Sequence, residues 1–182
     1  MKVAGIDYSY TSPSITIIND NKIEGVFCIK AKKKQDNIDL RITLLEYPIY
    51  KSELDRFDKL SSLMLNFIPS DIDFAYIENY SYGPSVGLIF NLAEATGLFK
   101  YKFYKKFGFE LKILAPTEVK KFATSKGNAK KRQMVDKFIE TEFDIYKTFL
   151  IENDNKEKIP KPIDDIIDSY WIAKYAYKQA NM

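Results

Sequence analysis

Apolar residues fall in short runs separated by turn-formers, and the period of the runs changes along the chain. Residues 3–6 (VAGI), 14–18 (SITII) and 22–30 (KIEGVFCIK) read as three strands, the first two joined by a bend containing Pro13. They make an antiparallel meander. Residues 53–67 place Leu54, Phe57, Leu60, Met64 and Phe67 at helical spacing. Residues 74–77 form a short buried strand ending at Glu78. A long helix follows from about 84 to 106, opened by Pro84 and stopped by Gly108. Residues 109–114 (FELKIL) read as another strand, and Pro116 opens a helix over PTEVKKFA. The loop TSKGN then leads into a helix over 129–143. Residues 144–162 are polar with two prolines and read as a loop, and a last helix spans about 163–179. The stretch 30–52 is the least legible, compatible with a further strand or a flexible loop.

Three strands come first, and strands then alternate with helices. This order predicts an α/β fold in one domain, residues 1–182. Its mixed central sheet joins the antiparallel meander to parallel strands and is flanked by helices. The strands ending at Asp7 and Glu78 are expected to be neighbours in the middle of the sheet.

Composition narrows the chemistry. Of 182 residues, 46% are hydrophobic and 29% charged, the balance of a globular protein. No apolar run approaches the ~18 residues of a membrane span, and MKVAGIDYS has no signal-peptide core. Cys28 is the only cysteine, so no internal disulfide is possible and a cytoplasmic location is expected. There is no histidine. His-based zinc sites, Ser-His triads and Cys-His nucleophiles are excluded, leaving Asp, Glu, Lys and Tyr. Net charge is only +3, yet residues 100–137 hold twelve Lys/Arg against Glu110, Glu118 and Asp136. This asymmetry points to a polyanionic partner, with Lys120, Lys130, Lys131 and Arg132 as candidate contacts. A solvated basic surface would look the same.

Asp7 ends a buried strand and runs into a row of hydroxyl side chains from Tyr8 to Ser12. An unpaired carboxylate is costly to bury. Asp7 is therefore exposed at a sheet edge, paired with a base, or bound to a cation. Glu78 is a second isolated acid at a strand end. The last helix adds DDIID, whose Asp164, Asp165 and Asp168 fall within about 100° of one another on a helical wheel. A helix N-terminus enriched in Asp explains that sector equally well. Taken together, Asp7, Glu78 and an aspartate pair form an all-oxygen set suited to Mg²⁺ or Mn²⁺. Two such ions ~3.5–4 Å apart support phosphodiester hydrolysis without histidine or cysteine.

The motifs VAGIDYS, AYIEN, GLIFNLAEATGLFK, PTEVKKFATSKGNAKKRQMV and DDIIDSYWIAKY occur in this order over roughly residues 3–177. In this combination the chain resembles the RuvC-type Holliday-junction resolvases of the ribonuclease H-like superfamily, especially phage and viral members. The resemblance implies a ribonuclease H-like fold and a metal-dependent endonuclease that resolves four-way DNA junctions; two symmetric cuts in strands of like polarity call for a homodimer. It implies a host-cytoplasm setting if the source is a phage or virus. Asp7, Glu78, Asp165 and Asp168 match the four metal-binding acids and would hold two Mg²⁺ or Mn²⁺. Asp164, beside Asp165, competes for that assignment. Lys120 and Lys131 match basic residues near the scissile phosphate, with Lys131 in a catalytic role, and Tyr80 or Tyr82 an aromatic that stacks on junction bases. A less selective flap or RNA–DNA-hybrid nuclease of the same fold, or a junction binder that does not cut, are the alternatives. The first motif is also similar to that of actin-like kinases. Those carry a glycine-rich turn after the aspartate, whereas Tyr8, Ser9, Tyr10 and Thr11 follow here. No nucleotide cofactor is expected.

The long helix carries Leu88, Leu92, Ala95, Phe99 and Phe103, with Ile89 and Phe90 on other faces. That is more apolar surface than one sheet needs, so part of it is expected at a twofold interface.

Overall fold

A computed structural model of the chain describes residues 1–30, 41–80, 86–142, 144 and 162–181. The opening meander is β1 (Lys2–Asp7), β2 (Ser14–Asn19) and β3 (Lys22–Lys30). A further strand, β4 (Ile42–Glu46), lies in the stretch that the sequence left open and pairs parallel to β3. Next come α1 (Glu53–Asn66), β5 (Phe74–Glu78), α2 (Val86–Phe107) and β6 (Lys112–Leu114). The chain continues through α3 (Pro116–Thr124), α4 (Lys131–Thr141) and α5 (Ile163–Ala180). The six strands run in the order β4-β3-β2-β1-β5-β6. β1 is antiparallel to β2 and parallel to β5, so the strands ending at Asp7 and Glu78 are neighbours inside the sheet. The sheet is mixed and flanked by helices, the architecture expected.

Alternation along the strands sorts the core into two faces. Ala4 and Ile6 of β1, Ile15 and Ile17 of β2, and Ala75 and Ile77 of β5 point to one side. There they meet Phe57, Leu60 and Met64 of α1 and Ala95, Phe99 and Phe103 of α2. The opposite side is covered by α5, with α3 and α4 beside it through Val119, Met134, Phe138, Ile166, Tyr170 and Trp171. Residues 3, 5 and 7 of β1 and 74, 76 and 78 of β5 therefore share the α5 side.

Three expectations shift. Leu54 is 73% exposed rather than on the buried stripe. At that end of α1 the sheet is met by Arg56, whose guanidinium lies 3.7 Å from the Tyr10 ring centroid and donates to Tyr10 O and Tyr47 Oη. Strand β6 is shorter than FELKIL, because Phe109 turns inward onto Phe103 and Phe107. Ala95, Phe99 and Phe103 are fully committed to the core and cannot serve an interface. Among the described side chains of α2, the exposed large apolar ones are Phe90, Tyr101 and Tyr104, 65%, 62% and 49% exposed, which fall on one face of the helix. The start of the long helix at 84–85, residues 31–40 of the least legible stretch and nearly all of the 144–162 loop lie outside the described residues. So do Tyr82 and the side chain of Leu88.

Candidate active site

The β-strand period puts Asp7 and Glu78 on the α5 side of two adjacent parallel strands, at equivalent C-terminal positions. What brings α5 to them is Gly5. A Cβ there would lie 2.1 Å from Ala173 N and 2.4 Å from Ser169 O, so the helix backbone rests directly on the glycine. Small residues Ser169, Ala173 and Ala176 form the matching face of α5, all fully buried. One turn toward the N-terminus, Asp165 and Asp168 then stand over the end of β1.

The hydroxyl row after Asp7 splits in two. Tyr8 turns to the other face, where its ring stacks on Phe99 and its hydroxyl meets Ser61 at 3.0 Å. Burial first of all pushes its ionisation up to about 12. Ser12 turns toward α5, and its Oγ donates to Asp165 Oδ2 at 2.6 Å. Farther along β2, Ser14 and Thr16 hydroxyls meet Ser169 Oγ at 2.7 and 2.8 Å. These buried groups satisfy one another, and among the described residues no buried side-chain polar atom lacks a partner. Gly5, Ser12, Ser14, Thr16 and Ser169 build the site, yet sequence reasoning gave none of them a role. The available signals were a glycine inside a strand and hydroxyls at alternate strand positions.

The four acids feel one another. Asp7 is raised well above the ordinary carboxylate range, by burial first and then by the charges of Asp168, Asp165 and Glu78, with Lys131 opposing. Glu78 is pushed up to about 7 by burial and Asp168, against Lys131 and Lys120. Burial and mutual repulsion together make this a set that added positive charge would stabilise.

Lys131 supplies part of that charge. Its Nζ lies 2.8 Å from Asp168 Oδ2 and 3.1 Å from Asp164 Oδ2. Burial works against the ammonium, but the two aspartates outweigh it and hold it charged well above the usual lysine range. Lys131, Lys120, Glu78 and Asp168 line a cleft of about 200 Å³, closed by Pro116, Val119 and Met134. Lys130 is exposed at the N-terminus of α4, and Arg132 pairs with Asp136 along that helix at 2.8 Å. Tyr80 is half-buried just past Glu78, with Lys100 Nζ 5.4 Å from its ring centroid. The structure thus gathers Asp7, Glu78, Asp165, Asp168, Lys120 and Lys131, and leaves Lys130 and Arg132 outside the cleft lining.

The donor set suits a hard divalent cation: oxygen only, partly buried, and electrostatically unfavourable without one. As the side chains stand, no three acids among the described residues converge on a single ion position. A bound cation would compete with Lys131 for Asp168.

No family model matches the sequence, and no curated protein matches it. Structural likeness is extensive. RuvC of Thermus thermophilus in complex with a Holliday junction substrate superposes with a TM-score of 0.63 at 13% identity, over 99% of this chain and 96% of that one. A second Thermus thermophilus RuvC structure gives 0.59 at 13% identity, over 99% and 97%. The yeast mitochondrial Holliday junction resolvase gives 0.50 at 19% identity, over 94% and 75%. The chain has the RuvC fold. In this version of the RuvC fold the acids sit where β1, β5 and α5 meet, and the basic residues arrive from α3 and α4.

Proposed function

We propose that the chain is a metal-dependent endodeoxyribonuclease that resolves four-way DNA junctions. The observation that carries this reading is that Asp7, Glu78, Asp165 and Asp168 lie within electrostatic reach of one another at one end of a RuvC-fold sheet, beside Lys120 and Lys131. Among the neighbours that share the fold, one RuvC is in complex with a Holliday junction substrate and the yeast mitochondrial protein is described as a Holliday junction resolvase.

Asp7, Glu78, Asp165 and Asp168 would hold two Mg²⁺ or Mn²⁺. Such ions supply Lewis acidity for phosphodiester hydrolysis, activating water and stabilising the leaving oxygen. The protein's own part is orientation and charge. Ser12 fixes Asp165 through a buried hydrogen bond. Lys131 and Lys120 flank the cleft and offset charge that develops on the phosphate. The basic stretch from α2 to α4 meets the DNA backbone, and Tyr80 supplies an aromatic ring near the cleft for stacking on an unpaired base.

One chain carries one acid cluster, and resolution needs two cuts in strands of like polarity. A twofold dimer would supply both, and the Phe90, Tyr101 and Tyr104 stripe is the surface it would cover. A junction binder that does not cut is the second reading. It is favoured by the Lys131 ion pairs, which already neutralise part of the cluster.

The test is a labelled four-way junction beside a linear duplex of the same sequence, incubated with Mg²⁺, Mn²⁺ or EDTA. Paired cuts in the junction alone, abolished by EDTA, are expected. Binding without cleavage in either metal would select the second reading, and equal cutting of the duplex would remove junction selectivity.

A further inference from the structure

We propose that Asp164, the acid beside the expected metal set, is a positioning residue that holds Lys131 at the cleft while Asp165 and Asp168 serve the acid cluster; this rests on the nuclease reading above. The neighbouring aspartates have different partners. Asp165 Oδ2 accepts from Ser12, and the charge of Asp165 acts on Asp7. Asp164 Oδ1 accepts the Asp165 backbone N–H at 3.0 Å, and its Oδ2 faces Lys131 Nζ at 3.1 Å. Both of its oxygens are engaged, one fixing the first turn of α5 and one fixing the lysine.

Both ends of this ion pair stand on packed helices. Lys131 opens α4, and α4 is locked to α5 by Trp171 Nε1 donating to Met134 O at 3.2 Å and by Tyr170 set edge-on to Phe138. The lysine stem is thus held at a fixed distance from the α5 N-terminus. Asp164 is only 9% exposed, and a carboxylate so covered is stabilised by a fixed ammonium and destabilised by its loss. Lys131 has a second anchor in Asp168, 2.8 Å away, but Asp168 shares the cleft with Glu78 and belongs to the acid set proposed to hold metal. A cation bound by the cluster draws on Asp168. Asp164 is then the anchor that remains, keeping the ammonium at the mouth of the cleft where a phosphate arrives. It acts through Lys131 and does not itself bind metal.

The test compares Asp164→Asn, Asp165→Asn, Lys131→Met and the Asp164→Asn/Lys131→Met double variant. Three readouts are used: junction cleavage in Mg²⁺, Ca²⁺ binding by calorimetry, and acylation of Lys131 by an amine-reactive ester, read by mass spectrometry with and without Ca²⁺. Asp164→Asn should slow cleavage roughly tenfold, and should cost nothing further when Lys131 is already Met. It should keep Ca²⁺ affinity within about twofold while Asp165→Asn loses at least about tenfold. Lys131 should acylate several-fold faster in Asp164→Asn than in wild type when Ca²⁺ is present. Loss of Ca²⁺ binding in Asp164→Asn would make it a ligand and overturn the proposal. Additive losses in the double variant, or unchanged Lys131 acylation, would overturn it as well. If wild type itself does not cut, the acylation result still decides the role of Asp164. An Asp165→Asn variant that binds Ca²⁺ like wild type would instead sink the metal-site reading.

Discussion

The two faces of the sheet are built from different materials. Under α1 and α2 the strands meet large side chains, with Phe99, Phe103, Leu60 and Met64 all essentially inaccessible. Under α5 the large side chains lie to one side, and along β1 and β2 the contact is made by a glycine, alanines, hydroxyls and acids. Bulk on the first face supplies apolar burial, at about 25 cal/mol per Å². Smallness on the second lets a helix backbone touch β1, so that acids from two elements distant in sequence share one place. Both faces bury apolar side chains, but only the α5 face gathers the acids.

The strongest way to break this contrast is to put bulk on the thin face. Gly5→Val would drive a side chain into the Ala173 and Ser169 backbone, where no rotamer change relieves the clash. A loss of at least ~4 kcal/mol, or of cooperative folding altogether, should appear in denaturant unfolding. The opposite change, Phe103→Ala, should cost about 3–5 kcal/mol through lost burial and a cavity. Below its lowered melting temperature, cleavage per folded molecule should match wild type. A tolerated Gly5→Val, or a folded but inactive Phe103→Ala, would dissolve the distinction.

Acidity gives the next test. Glu78 is neutral more readily in the folded chain, at about 7, than at its ordinary 4.5. The stability this contributes is fully present below about 4.5 and is lost as pH rises through about 7, a swing of roughly 3 kcal/mol. Metal-free protein should therefore weaken across that window, and Asp7 acts in the same direction. Glu78→Gln should flatten the profile and stabilise the metal-free protein near neutral pH. A pH profile identical to wild type would mean that Glu78 is well solvated.

A smaller effect probes the hydroxyls. Ser12→Ala removes the donor to Asp165 and should cost about 1–2 kcal/mol, whereas Ser12→Thr, which keeps the hydroxyl, should cost less. Equal melting temperatures for Ser12→Ala and wild type would leave Asp165 oriented by other contacts.

Much of this was legible in the sequence because it follows from period and punctuation. Short apolar runs in VAGI and FAYI give the strands and put an acid at the end of each, and Pro116 and Gly108 mark helix ends. The helical wheel put Asp164, Asp165 and Asp168 in one sector, which the structure turns toward Ser12 and Lys131. What stayed hidden depends on contacts far apart in the chain. Ser12 and Asp165 are 153 residues apart, as are Thr16 and Ser169, and no local pattern announces such pairs. The parallel pairing of β4 with β3 is non-local in the same way, and its residues lie in a stretch with no clear period. Leu54 and Arg56 traded places because a stacked, hydrogen-bonded guanidinium can be buried where hydropathy alone favours leucine.

The claim on which the rest depends is that the acids at the meeting of β1, β5 and α5 do the cutting. Asp7→Asn on a labelled four-way junction addresses it directly, because the substitution keeps the side-chain shape at the end of β1 and removes one charge from the cluster. Cleavage in Mg²⁺ should fall by at least about a thousandfold, while junction binding in EDTA should stay equal or tighten as repulsion of the phosphates is eased. Wild-type cleavage by Asp7→Asn would contradict the account at its centre.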